Sequence, residues 1–228
     1  VQNLSRNDNK LLTNDFYCII FELSRNDNYL SFIESSILSK EVVMKKFIPY
    51  MSKFLEVFFL LFTVGAIAFT VMSAVNPEYV YSILKPGLDS AEMNVLGFGV
   101  QIADASDVVM KFPMVVLFAI SIPVSLNVVM IFRNIYLIYR TAEGKTKFSK
   151  GNTPFQKDVV RMVREIGIFS IGIPVFQFIG SFIIKLFSHG VIETHVIITS
   201  LIFGIVIVNI SEFFSYGVKL EEEVEGLV

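Results

Sequence analysis

Apolar residues gather into four long stretches along the chain, separated by segments rich in polar and charged residues. The stretches cover residues 54–75, 112–132, 166–184 and about 196–216. A helix needs about 20 mostly apolar residues to cross the hydrocarbon core of a bilayer. In lipid, each backbone N–H and C=O must be paired inside its own segment. The pattern therefore predicts an all-α fold, a four-helix transmembrane bundle.

The outer loop between the first and second stretches carries its own structural signals. Asn76-Pro77 is typical of a helix end, and Lys85-Pro86-Gly87 predicts a turn. Residues 94–102 have a strand-like composition that two glycines interrupt. We expect a paired or hairpin element on this face. A ligand-sensing surface is a further hypothesis, because loops often carry function.

A helix start precedes the third stretch. Thr153-Pro154-Phe155-Gln156 fits an N-cap threonine, a proline at the first helical position and a glutamine as capping-box partner. The helix that follows has an apolar stripe made of Phe155, Val159, Met162, Val163 and Ile166. This pattern predicts an amphipathic cytoplasmic helix that lies along the inner interface and then turns into the third span.

Residues 1–43 differ from the rest of the chain. Leu-Ser-Arg-Asn-Asp-Asn occurs at 4–9 and again at 23–28, in a polar, Asn-rich context. Such a composition is typical of poor order, and Met44-Lys45-Lys46 resembles an ordinary beginning of a membrane protein. We therefore expect a poorly ordered extension ahead of a four-span domain at 44–228. The alternative is a cytoplasmic recognition arm with an amphipathic helix at 29–43.

Lysine and arginine are distributed unevenly among the connecting segments. The 140–164 connection holds seven basic and two acidic residues, whereas the 76–111 loop holds two lysines and five acidic residues. Positively charged loops stay in the cytoplasm, so the prediction is that both termini are inside. The 219–228 tail has one basic and four acidic residues.

Polar residues in or near the spans are the candidates for structural or coupling roles. Asn127 and Gln177 lie near mid-depth, where interhelical hydrogen bonds are favoured over a transport site. Arg133 is expected to pair with Glu56 or Glu212 in a clasp near the inner boundary. The full set is Glu56, Asn127, Arg133, Gln177, Asn209 and Glu212.

The basic connection and the acidic tail form a second candidate group. Both are predicted to reach the inner surface, with net charges of +5 (seven minus two) and −3 (one minus four). Either the tail docks on the basic helix and can be displaced, or both are solvated and the basic residues only set topology. The candidate interaction residues are Lys157, Arg161, Arg164, Glu221, Glu222 and Glu223.

Catalytic and metal-binding patterns are scarce. No H-E-x-x-H, G-x-S-x-G or P-loop pattern occurs, and the single cysteine, Cys18, excludes an intramolecular disulfide framework. His189, Glu193 and His195 have poor spacing for zinc. With 54% hydrophobic residues, we expect a membrane protein that is not an enzyme and uses no cofactor.

Three segments resemble one known family. They are 153–156 with Val-Arg-Met-Val-Arg-Glu-Ile-Gly at 160–167, Ser-Glu-Phe-Phe-Ser-Tyr-Gly at 211–217, and the tail 218–228. Their order and spacing resemble the family catalogued as domain of unknown function 2975, small bacterial four-span membrane proteins. The likeness covers roughly 45–228 and excludes the N-terminal 43 residues, which would then be a non-family extension. It implies the bacterial cytoplasmic membrane, no established activity and a small helix-turn-helix repressor as partner.

The leading functional hypothesis is a non-enzymatic membrane sensor or regulator that holds or signals to a cytoplasmic partner. The alternative is a small transporter, or a subunit of an export or immunity system, which would need a polar path through the bundle. Expected partners are the lipid bilayer and either the repressor or another membrane protein. Direct binding of nucleic acid is not expected.

Overall fold

The computed structural model describes residues 27–85, 92–103, 108–147, 156–188, 192–196 and 198–225, with side chains from Phe47 onward. The chain divides into two units, Val1–Phe47 and Ile48–Val228, and the second contains the four spans and the sheet. In chain order the elements are α1 (Asp27–Val75), α2 (Pro77–Leu84), β1 (Glu92–Val95), β2 (Phe98–Gln101), α3 (Lys111–Ala142), α4 (Lys157–Phe187), β3 (Thr194–Val196) and α5 (Thr199–Glu225).

Four of these helices are long and apolar enough to cross a membrane. The membrane-capable segments are Phe47–Val75, Lys111–Ala142, Lys157–Phe187 and Thr199–Val224. The first three contain the predicted stretches. The fourth begins three residues later than expected, because residues 194–196 pair in a sheet instead. The protein is therefore an integral, multi-pass membrane protein, as the hydrophobic pattern predicts.

The spans pack side by side in chain order. Helix α3 packs against α4, and α4 packs against α5. Contacts between α1 and α3 include a 2.8 Å hydroxyl pair, Thr63 with Ser125, and the stacked rings Phe59–Phe132 and Phe69–Phe118. Helix α4 thus lies between α3 and α5.

Two glycines let α4 and α5 approach each other closely. A Cβ atom on Gly167 would lie 2.8 Å from the carbonyl oxygen of Gly204, and one on Gly204 would lie 2.7 Å from that of Gly167. Without a hydrophobic force between helices in lipid, close backbone packing at small residues is what holds such pairs together. These glycines therefore fix where the two helices cross.

A three-stranded antiparallel sheet in the order β1-β2-β3 covers one end of the spans, here called the sheet end. The hairpin predicted within 94–102 is confirmed, with Val95 opposite Phe98. Its turn residues Leu96 and Gly97 have φ of 52° and 83°, as a two-residue type I′ turn requires. Strand β3 was not predicted, so the all-α description is incomplete.

Helix α2 follows α1 after a single residue, Asn76. Asn76 ends α1 and caps α2, since its Oδ1 accepts a hydrogen bond from the Tyr79 backbone N–H at 3.1 Å. The helix end predicted at Asn76-Pro77 is thereby confirmed.

The sheet, α2 and the nearby ends of α3 and α4 share one apolar core. It consists of Val80, Tyr81, Val95, Phe98, Val100, Ile102, Ala103, Met114, Leu117, Phe118, Ile184 and Ile192.

The prediction of a separate amphipathic helix before the third span is wrong. Residues 157–187 form one continuous helix. Val159, Met162 and Ile166 of the predicted apolar stripe are buried, because the stripe packs within the bundle instead of lying on a membrane surface. Gln156 has an extended backbone and occupies the N-cap position of this helix, not the third helical position that the predicted capping box requires. Thr153 lies outside the described residues.

The predictions for the N-terminal segment are only partly addressed. Helix α1 begins at Asp27, so the backbone is helical over 29–43, where the alternative placed a helix. Residues 1–26 lie outside the described part of the chain. Whether residues 1–43 act as a recognition arm or are an extension foreign to the membrane domain stays a prediction.

Candidate functional site at the basic end of the bundle

The end of the spans opposite the sheet, here called the basic end, joins the start of α4 to the end of α5. These two helices are antiparallel neighbours, so residues early in α4 lie beside residues late in α5. Lys157 Nζ lies 2.7 Å from Glu222 Oε1, and Arg164 Nη2 donates to Glu212 Oε1 at 2.8 Å. The basic segment and the acidic tail therefore meet.

Both ion pairs are open to their surroundings. The side chains of Lys157 and Glu222 are 72% and 54% exposed, and those of Arg164 and Glu212 are 47% and 56% exposed. The pair of Lys157 with Glu222 lies at the ends of its two helices, and a pair this exposed contributes about 0.2–1 kcal/mol in water. A partner that offers competing charges can therefore displace the tail at small energetic cost.

Glu165, the residue after Arg164 in α4, forms a second polar contact. Its Oε2 accepts a 3.1 Å hydrogen bond from Asn134 Nδ2 on α3, and its Oε1 lies 3.5 Å from Arg161 Nε. Arg161, predicted as an interaction residue, thus pairs within its own helix. Sequence reasoning missed Asn134. The signal in the sequence was the seven-residue spacing between Asn134 and Thr141, which is about two helical turns. Both side chains are buried on one face of α3.

The predicted clasp of Arg133 with Glu56 or Glu212 is wrong. Glu56 pairs with Lys53 at 3.0 Å, three residues earlier in the same helix. Glu212 pairs with Arg164, because α4 lies between α3 and α5 and reaches Glu212 first. Arg133 itself is exposed. The position of α4 decides which cation each carboxylate meets.

Apolar side chains continue along the tail beside its glutamates. Tyr216, Leu220 and Val224 are 64%, 63% and 62% exposed, and their four-residue spacing places them on one side of α5. Glu222 and Glu223 are also exposed, whereas Glu221 is half-buried. The end of α5 therefore presents an apolar stripe with carboxylates next to it.

Two asparagines in the spans hydrogen-bond within their own helices. Asn127 Nδ2 donates to the carbonyl oxygen of Pro123, and Asn209 Nδ2 to that of Ile205, each at 2.8 Å. The interhelical hydrogen bond predicted for Asn127 is thus replaced by a local one. Asn127 Oδ1 instead packs beside Gly172, 2.9 Å from where a Cβ would stand.

Gln177 does bond to another element, although not to a helix. Its Nε2 donates to the carbonyl oxygen of Leu96 in the hairpin turn at 2.9 Å, and its side chain is fully buried. Its Oε1 has no hydrogen-bond partner among the described residues. A glutamine near the middle of α4 therefore holds the tip of the sheet against the spans.

The histidine region gives no metal site within the described part of the chain. His195 Nε2 lies 3.8 Å from Glu92 Oε1 of the neighbouring hairpin. His189 lies outside the described residues. No group of three His, Cys, Asp or Glu side chains in the described ranges is arranged to hold a metal ion.

Comparisons with known proteins leave the family open. Searches with protein-family models, against characterised proteins and against solved structures each found no match to this chain. The resemblance to domain of unknown function 2975 thus stays a prediction that rests on the three segments described above.

Proposed function

We propose that this membrane protein is a non-enzymatic regulator or sensor whose basic end holds a cytoplasmic partner. The observation that carries the proposal is the pair of exposed contacts, Lys157–Glu222 and Arg164–Glu212, that closes the start of α4 on the end of α5. Because such pairs are weak, the acidic end of α5 can separate from the basic residues of α4 and bind another protein instead.

The orientation belongs to the same proposal. The connection that leads to α4 is rich in lysine and arginine and the loop at the sheet end is acidic, which favours a cytoplasmic basic end. The sheet then faces the opposite side. In a bacterial cell this corresponds to the cytoplasmic membrane.

The length of α5 supports a surface outside the lipid. Its 27 residues extend about 40 Å at 1.5 Å per residue, whereas the hydrocarbon core is about 30 Å thick. With Thr199 at one boundary of the core, about seven residues project beyond the other boundary, and this part includes Leu220 and Val224. An apolar helical stripe beside carboxylates suits a partner with an apolar groove and a basic rim. A small helix-turn-helix repressor is such a partner, since DNA-binding domains are basic.

A transporter finds less support in the described residues. Thr63, Ser121, Asn127 and Asn209 each donate to a carbonyl oxygen four residues earlier in the same helix. These bonds satisfy polar groups locally, as expected for structural residues in a span. The regulatory proposal therefore has the stronger support.

Affinity capture with matched variants tests the proposal. The tagged protein is purified from detergent-solubilised native membranes as wild type, as a Leu220→Gln, Val224→Gln double variant, and as Lys145→Gln. Lys145 is exposed at the same end of the bundle but belongs to the turn after α3. A protein that copurifies with the wild type and with Lys145→Gln, but not with the double variant, supports the proposal. Equal recovery with all three contradicts it.

A second test addresses the displaceable tail. A carbodiimide should couple the amine of Lys157 to the carboxyl of Glu222 readily in native membranes at low salt, because the two groups are 2.7 Å apart. The yield should fall as ionic strength rises, since exposed pairs are screened. A yield that does not respond to salt would mean that the tail is fixed by packing and is not available to a partner.

A further inference from the structure

An apolar cavity of about 250 Å³ lies between α1, α3 and the elements at the sheet end. Gly65, Ala66 and the Phe62 and Phe69 rings line it on the α1 side, Phe118 of α3 on another, and Leu84, Met93 and Val95 complete it. An apolar cavity of about 150 Å³ holds a benzene molecule. This one therefore has room for a longer segment of hydrocarbon.

The cavity borders the surface of α1 that faces lipid. Leu61 and Val64, beside the cavity on α1, are 63% and 58% exposed, and Gly65 is itself partly exposed. A Cβ atom built on Gly65 meets no atom within 4 Å. The missing side chain thus leaves the wall of the cavity open where α1 meets the bilayer.

The depth of the opening matches the reach of a lipid tail. Gly65 precedes the end of α1 by ten residues, which is about 15 Å along the helix. Half of a hydrocarbon core of about 30 Å is the same distance. The molecules that meet this part of α1 are therefore the acyl chains of the leaflet on the sheet side.

We propose that this cavity is a binding site for one acyl chain of a bilayer phospholipid. The chain would enter beside Gly65 and pack against the phenylalanine rings. Its binding does not depend on the regulatory role proposed above, because the site is at the opposite end of the spans.

The occupant would contact the sheet directly. Val95, one wall of the cavity, ends β1, and the next residue, Leu96, carries the carbonyl that Gln177 holds. The same strand therefore contacts the acyl chain on one side and is tied to α4 just beyond it. The position of the hairpin therefore depends on whether an acyl chain fills the cavity.

Photolabelling of the full chain in vesicles tests the site. The vesicles contain phosphatidylcholine and a trace of phosphatidylcholine with a diazirine near the methyl end of one chain, and labelled peptides are mapped after irradiation. Val95 is only 8% exposed, so bulk lipid does not reach it. Label at Val95, located to the residue within a peptide that contains no part of α1, is the expected result for the wild type.

Two substitutions that fill the cavity and one control complete the design. Gly65→Leu should lower labelling of that peptide about tenfold, the loss expected when two methylenes lose their buried contacts. Val64→Leu adds one methylene one residue away on the exposed face, outside the cavity, and should leave labelling unchanged. Met93→Phe fills the cavity from the sheet and should act like Gly65→Leu if the latter misfolds. No label at Val95 in the wild type, or equal label in both filled variants and the control, would overturn the proposal.

Discussion

Replacing Gly204 by alanine adds one methyl group at the point where the backbones of α4 and α5 meet. The new Cβ would lie 2.7 Å from the carbonyl oxygen of Gly167 and 2.9 Å from the backbone nitrogen of Ile171. Backbone atoms cannot turn away as a side chain can, so the two helices must separate. Overpacking of this kind costs about 1–3 kcal/mol.

The same substitution at Gly65 is a matched control. Its Cβ meets nothing within 4 Å, so no contact is strained. Alanine is also favoured over glycine inside a helix by about 0.5–1 kcal/mol. Gly65→Ala should therefore raise stability slightly. Because both variants gain the same helix preference, they should differ by the overpacking cost alone, about 1–3 kcal/mol. Gly172→Ala should fall between them, because its Cβ would meet only the movable side-chain oxygen of Asn127, at 2.9 Å.

Unfolding of the three variants in the same mixed micelles, followed by far-ultraviolet circular dichroism, measures these differences. A control for local effects is the yield of the carbodiimide crosslink between Lys157 and Glu222, which should fall in Gly204→Ala and stay unchanged in Gly65→Ala. If Gly204→Ala is as stable as Gly65→Ala, the close approach of the two backbones does not stabilise the bundle, and the reasoning fails.

Three further predictions concern the charged end, the buried glutamine and the orientation. Glu222→Lys should destabilise the bundle by less than about 1 kcal/mol, since the pair with Lys157 is more than half exposed. Adding Lys157→Glu should restore stability in melts at low salt, and no recovery would argue against the pair. Gln177→Met should leave the melting temperature near that of the wild type, because the lost hydrogen bond to Leu96 is offset by removing an unpaired buried oxygen. Amide hydrogen exchange in the hairpin turn should nevertheless become faster, and unchanged exchange would contradict the anchoring role of Gln177. In a Cys18→Ser background, Glu193→Cys should react with an impermeant thiol reagent on intact cells and Glu143→Cys only after lysis, and the reverse result would overturn the orientation.

The spans were predictable from sequence because lipid imposes a composition over about 20 residues, whatever the neighbouring helices do. The hairpin was predictable because residues 94–102 contain β-branched and apolar residues around a glycine. Strand β3 was missed because Val196 is continuous with the apolar run of α5, and only pairing with Phe98 shows that the residue belongs to a sheet.

The partners of the charged residues could not be predicted because they depend on the order in which the spans pack. Glu212 was predicted to meet Arg133, but α4 lies between α3 and α5 and supplies Arg164. The hydrogen bond from Gln177 to Leu96 joins residues 81 positions apart, and no periodicity in the sequence relates them. The tail contact was anticipated from net charge, and Lys157 and Glu222 were both among the predicted residues. Which of those residues pair depends on the crossing point at Gly167 and Gly204.

The pairing of β2 with β3 has a consequence for biosynthesis. Phe98 of β2 lies opposite Val196 of β3. Strand β2 is synthesised after the first span and β3 only after the third. The two strands can therefore pair only when the chain beyond the third span has reached the same side of the membrane as β2. Until then, β2 has a free edge that other chains can join. Insertion of the last two spans therefore closes that edge, and a protein arrested after two spans should be prone to aggregation through it.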